Sequence, residues 1–204
     1  MPWAVGAWET NVHILREKAE PCTRSTLSQE DAHLLIKNNP HLIPSVTSRK
    51  CLVLEDVMIE DNVVDLLIAE PSKRGVVLHL VFLKWFDYGD VVELTESFDE
   101  AYSLIGRDLE YIDLIVASAL FLGSERASWA RRLKDKLRSW LGRKRVRVEK
   151  VYAVVVVNAL TKAFVQIINA VNDLTDAYVD ALEISEYVTR SGEKIVVTHM
   201  FTWR

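Results

Sequence analysis

Glycine, proline and cysteine are scarce in this sequence, and each scarcity excludes something. Seven Gly and five Pro in 204 residues leave no room for a long flexible linker. A single domain over residues 1–204 is therefore expected, with 1–26 as an N-terminal extension and 27–204 as the core. No internal repeat or low-complexity tract interrupts it. The only cysteines, Cys22 and Cys51, lack CxxC spacing and carry no metal signature. They could pair, but a reducing cytosol favours buried free thiols. The five histidines are scattered, with no HxH or HExxH arrangement, so a dedicated zinc site is not expected. The longest apolar runs, such as Leu114–Leu122 and Ala153–Val157, fall far short of the roughly 20 residues a membrane span needs. Met1-Pro2-Trp3-Ala4 shows no basic-then-apolar signal pattern. The expectation is a cytoplasmic protein without a membrane partner.

Half of the residues are hydrophobic, enough for one well-buried core. The net charge of −4 conceals an asymmetry. Ser124–Lys150 holds eleven Lys/Arg against three Asp/Glu, which makes that segment +8 and leaves −12 on the other 177 residues. A basic block in an acidic chain points to an anionic partner at one face.

Residues 1–25 read as irregular, with Trp3 and Trp8 as possible anchors. Ser28 is placed to cap a helix whose first turn carries Glu30 and Asp31, and Asn38-Asn39-Pro40 stops it. Cys51–Ile59, Val63–Ala69 and Val76–Trp85 read as three strands separated by Glu60-Asp61-Asn62 and Pro71–Gly75 turns. The third is almost continuously apolar, as a strand buried on both faces would be. A short strand at Val91–Leu94 is possible. A long helix is expected over Ser97–Leu122 and a basic one over Ser124–Leu141, where Trp129, Leu133, Leu137, Trp140 and Leu141 follow the helical period. Val148–Val157 reads as a strand, Leu160–Leu174 as a helix, and Asp180–Thr189 with Lys194–Phe201 as a hairpin. A meander followed by a helical crossover to another strand implies an α/β fold: a mixed sheet flanked by helices. The first three strands should be antiparallel neighbours, with 148–157 parallel to 76–85.

Leu35-Ile36-Lys37-Asn38-Asn39-Pro40-His41-Leu42-Ile43 resembles an "L-x-x-x-NP-x-LI" element. Val64–Ile68 resembles a metal-binding aspartate strand, and Val76–Lys84 the strand that follows it and ends in Glu-x-Lys. Arg107–Tyr111 sits where a Q-L-x-x-Y helix pattern would fall, keeping only Tyr111. Over roughly residues 27–200 the chain thus resembles PD-(D/E)XK nucleases of the archaeal mismatch- and flap-cleaving kind. The resemblance implies a restriction-endonuclease-like fold. It also implies strand-end acids holding Mg²⁺ through oxygen, the metal activating a water, and a lysine orienting it.

Only part of that set is kept. Asp65 stands at the aspartate and Lys84 at the lysine, but Phe82 occupies the glutamate position and the helix glutamate falls near His33, with Glu30 one turn earlier. Glu55 or Glu70 could substitute. Asp65 and Lys84 thus read as a remnant catalytic pair, with Asp65 a metal ligand only if the protein is active. A structural Asp65–Lys84 ion pair is the plainer alternative. His33 and His79 read as packed or hydrogen-bonded histidines. The Trp129/Leu133/Leu137/Trp140 stripe reads as core or a partner contact. Arg131, Lys134, Arg138, Arg143, Lys144, Arg145 and Arg147 are the candidate nucleic-acid contacts, against the alternative of a merely solvated face.

The expected function is a catalytically degenerate nuclease-fold protein that binds DNA or RNA in a processing or defence complex, with no cofactor. Its alternatives are an active Mg²⁺-dependent endonuclease with a migrated carboxylate, and a subunit for protein interaction or homodimerisation.

Overall fold

The structure, a computed structural model, describes residues 7–13, 22–25, 27–86, 111–123, 127–174 and 179–202. Their elements are β1 (Ala7–His13), β2 (Cys22–Ser25), α1 (Gln29–Asn38), β3 (Leu52–Ile59), β4 (Asn62–Pro71) and β5 (Val76–Lys84). α2 (Ile112–Leu120), α3 (Ser128–Leu141), β6 (Val148–Val157), α4 (Lys162–Leu174), β7 (Val179–Thr189) and β8 (Lys194–Thr202) follow. The possible strand at Val91–Leu94, most of the long helix expected from Ser97, and Arg107 and Asp108 lie outside the described residues.

All eight strands form one mixed sheet in the order β1-β8-β7-β6-β5-β4-β3, with β2 added on β7. β3, β4 and β5 form the expected antiparallel meander. β6 then pairs with β5 in parallel, Val76 opposite Val148 and Lys84 opposite Val157, as the helical crossover requires. β7 continues parallel to β6 and returns antiparallel as β8. Gly192 (φ 83°) supplies the left-handed residue in the β7–β8 turn.

The reading of residues 1–25 as irregular is corrected at 7–13 and 22–25, the described residues of that stretch. β1 pairs with β8 over seven residues, and β2 pairs with β7. The partners lie far along the chain, from Ser25 opposite Glu186 to Ala7 opposite Thr202, so the pairing is invisible to a local pattern. Arg24 ties β2 down: its Nη2 donates to Glu183 Oε1 (3.0 Å), Ser185 Oγ (2.9 Å) and the Asn158 carbonyl (2.8 Å).

Two cores sandwich the sheet. One face carries α2, α3 and α4, with Ile115, Trp129, Leu133, Leu137, Phe164 and Ile168 packed on Leu67, Leu78, Leu80 and Val155. The other carries α1 and the segment after it, with Ile36, Leu42 and Ile43 packed on Leu66, Ile68, Val81 and Val154. Burial on both faces explains the unbroken apolar runs of the central strands. Each buried Leu, Ile or Val contributes about 1.5–3 kcal/mol. Trp129, Leu133 and Leu137 of the stripe therefore belong to the chain's own core, and Trp140 is half-buried against it.

α1 starts as its sequence dictates. Ser28 Oγ accepts the Asp31 N–H (3.0 Å), and the Asn39 N–H closes the helix on the Leu35 carbonyl (2.9 Å) before Pro40 ends it. α3 starts at Ser128, four residues later than expected, and ends at Gly142 in the left-handed conformation (φ 64°).

Candidate functional site

Asp65 lies near the start of β4, and Lys84 at the end of β5. Regular β4–β5 pairing stops at Leu66–Val81. Beyond it Asp65 Oδ2 accepts the Leu83 N–H at 2.8 Å, so the side chain replaces a ladder bond. The neighbouring β3 is also irregular here, with Asp56 at φ 47°. Asp65 faces a pocket of about 340 Å³ lined by Gln29, Glu30, His33 and Leu83. Burial pushes the Asp65 carboxyl above its usual value; the Leu83 N–H and the Lys84 ammonium counter this only in part. A half-buried acid with a raised pKa in a cleft is a candidate functional group. The pocket sits at the carboxyl end of β5, where open α/β sheets bind their ligands.

Lys84 is close enough to Asp65 to favour its ionised form, yet it lines a different pocket, with Phe82, Asn62, Val63 and Tyr111. Phe82 is 7% exposed and belongs to the helical core, so it offers packing and no oxygen. Glu55 is committed elsewhere: Lys37 Nζ lies 2.7 Å from it and His33 Nδ1 3.9 Å. The other oxygen-bearing side chains lining the Asp65 pocket among the described residues are those of Glu30 and Gln29. Among the described residues, no group of three or more His, Cys, Asp and Glu is arranged to hold a metal.

Glu70 and His79 form a second polar cluster that the sequence reading missed. His79 Nε2 lies 2.7 Å from Glu70 Oε2, and His79 Nδ1 lies 3.1 Å from Ser45 Oγ. The other Glu70 oxygen accepts from the Thr47 N–H (2.8 Å) and the Ser48 N–H. The imidazole stacks on Tyr152 with centroids 5.2 Å apart. Burial lowers the His79 pKa despite Glu70, which favours the neutral ring, with Nε2 toward the Glu70 carboxylate and Nδ1 toward the Ser45 hydroxyl. Burial pushes Glu70 up, but the Ser48 N–H, His79 and the Thr47 N–H together hold it below its usual value. The cluster fastens the 45–48 segment to the sheet. Its signal in the sequence is a polar residue near the turn end of each strand, with His79 two residues beyond Val77, the cross-strand partner of Glu70. Nearby, the free Cys51 thiol donates to the Ser48 carbonyl (2.9 Å), and burial with the Glu70 charge pushes its pKa up to about 11.

The candidate nucleic-acid contacts lie elsewhere. Arg131, Arg138, Arg143, Lys144, Arg145 and Arg147 are exposed; Lys134 is half-buried and has a partner. Arg138 Nη1 also contacts Asp135 (3.2 Å). The 143–147 segment leads into β6, whose first residue, Val148, is aligned with Val76 at the start of β5. Asp65 and Lys84 belong to the far end of that strand. A nine-residue strand spans roughly 26 Å, so the 143–147 cations and the Asp65–Lys84 pair occupy opposite ends of the sheet. α3 instead packs on β3, where its Arg132 and Lys136 share a pocket with Glu55 and Asp56.

No family model, curated protein or solved structure matches the chain. What the fold defines is a mixed α/β protein with a helix-flanked sheet. No described helix is long and apolar enough to cross a membrane.

Proposed function

We propose that this chain is a PD-(D/E)XK-type nuclease-fold protein with a degenerate catalytic pocket, binding nucleic acid through its basic surface without cleaving it. One observation carries the reading: the exposed cations of 143–147 stand at the sheet end opposite Asp65 and Lys84. A polyanion held there is not presented to the Asp65 pocket, and in the separate Lys84 pocket Phe82 stands where the resemblance calls for an acid. The antiparallel meander followed by a parallel crossover strand supports the fold resemblance.

The second reading, an active Mg²⁺-dependent endonuclease with a migrated carboxylate, is favoured by Glu30 and Asp65 sharing a pocket. Two assays separate the readings. Fluorescence anisotropy at low and moderate salt should show binding that weakens steeply as salt rises. Incubation with single-stranded, duplex and branched substrates in Mg²⁺ or Mn²⁺ should yield no cleavage. Cleavage that disappears in Asp65→Ala would establish the second reading. Absence of binding even at low salt would remove the nucleic-acid function altogether.

A further inference from the structure

The β4–β5 turn brings two further cations to the basic surface. The Ser72 N–H donates to the Gly75 carbonyl (3.0 Å), and the Gly75 N–H donates to Ser72 Oγ (2.9 Å). This tight turn leaves Lys73 and Arg74 exposed at its tip. Gly75 is buried against the backbone of Arg147: a β-carbon there would fall 1.9 Å from the Arg147 carbonyl oxygen. The same oxygen accepts the Val76 N–H at 2.9 Å. The turn is thus pinned to the end of the basic segment, although more than 70 residues separate them in sequence. Lys73, Arg74, Arg147 and Glu149 line one open cleft of about 500 Å³, three cations against one carboxylate.

We propose that Lys73 and Arg74 join Arg143–Arg147 in a single grip for the phosphate backbone of duplex nucleic acid at the amino ends of β5 and β6. The inference rests on the nucleic-acid reading above and adds binding residues, a location and a strandedness to it. Charge selects a polyanion, and the fixed turn spares the cost of ordering the loop backbone that carries the two side chains. Strandedness follows from the described lining of the cleft, Lys73, Arg74, Arg147 and Glu149, none of which is aromatic. Proteins that hold single strands use aromatic stacking platforms, whereas duplex backbones need only cations. Base sequence should matter little.

The test is an anisotropy titration of a fluorescent duplex DNA over a salt series, with folding of each variant checked by circular dichroism. Lys73→Ala with Arg74→Ala should weaken binding and make the log–log salt slope shallower by about 1.8, or roughly 0.9 per lost phosphate contact. Arg143→Ala with Arg145→Ala should do the same. Lys162→Ala, an exposed cation at the other end of the sheet, should leave affinity and slope unchanged. If the Arg143/Arg145 variant loses affinity and the Lys73/Arg74 variant does not, the composite grip is wrong while the nucleic-acid reading stands. If Lys162→Ala weakens binding as much as the turn variant, the location is wrong. Tighter binding of a single strand than of the duplex overturns the strandedness. A wild-type protein that binds no duplex at low salt removes the inference and the reading together.

Discussion

Glu70 Oε2 lies 2.7 Å from His79 Nε2 inside the sheet, and the histidine is fully buried. Both groups have pKa values below their ordinary ones, 4.5 for Glu70 and 6.5 for His79. The unfolded chain therefore takes up protons at a higher pH than the folded one. Stability from this pair is complete above the ordinary histidine value, erodes as pH falls below about 6.5, and erodes further below about 4.5. Thermal unfolding between pH 8 and 4 should show the midpoint falling on the acid side. His79→Phe should flatten the upper part of that fall. It should also cost about 1–3 kcal/mol at pH 7, because Glu70 loses a buried partner. A midpoint that does not change between pH 7 and 5 would contradict the assignment.

Asp65 has the opposite sign. Its folded pKa is raised above 3.8, so its contribution to stability is present at acid pH and is lost as pH rises through the folded value. At neutral pH the ionised carboxylate is therefore a burden to the fold. Asp65→Asn keeps an oxygen for the Leu83 N–H and removes the charge, so its unfolding midpoint at pH 7 should exceed that of the wild type. The difference should shrink as pH is lowered. Asp65→Ala leaves the Leu83 N–H without its acceptor and should be less stable than Asp65→Asn by about 1 kcal/mol or more. Equal midpoints for the two variants would mean that the Leu83 contact carries no weight.

The basic helix α3 separates core from surface sharply. Leu137 is fully buried, while Arg138 beside it is exposed. Leu137→Ala should cost about 2–5 kcal/mol in denaturant unfolding. Arg138→Ala should lie within about 0.5 kcal/mol of the wild type. A Leu137→Ala loss below about 1 kcal/mol would show that α3 is only loosely docked.

Gly75 is required by a close approach of two backbones. Gly75→Ala forces the Arg147 carbonyl away and weakens its bond to the Val76 N–H. A loss of about 1–3 kcal/mol is expected, the usual range for an overpacked position. Hydrogen exchange should also quicken at Val76. Unchanged stability and exchange would mean that the turn and the 143–147 segment are not pinned together.

Much of this protein is determined by its sequence alone, because the signals are local. Ser28 before an acidic first turn sets the start of α1, and Gly142 sets the end of α3. The unbroken apolar runs of 76–84 and 148–157 announce strands buried on both faces, and the helices between them require a parallel pairing. The +8 block and the phenylalanine at position 82 are equally plain in the sequence. Only the tertiary structure decided what depends on distant partners. It made strands of 7–13 and 22–25 by setting them beside β8 and β7. It spent Asp65 on the Leu83 N–H, fastened Glu70 to His79 and Ser48, and pinned Gly75 against Arg147. It also placed the basic segment at the opposite end of the sheet from Asp65. The physical reason is that pairing across a sheet and burial around a charge are set by which strands become neighbours, and short-range patterns of polarity do not encode that.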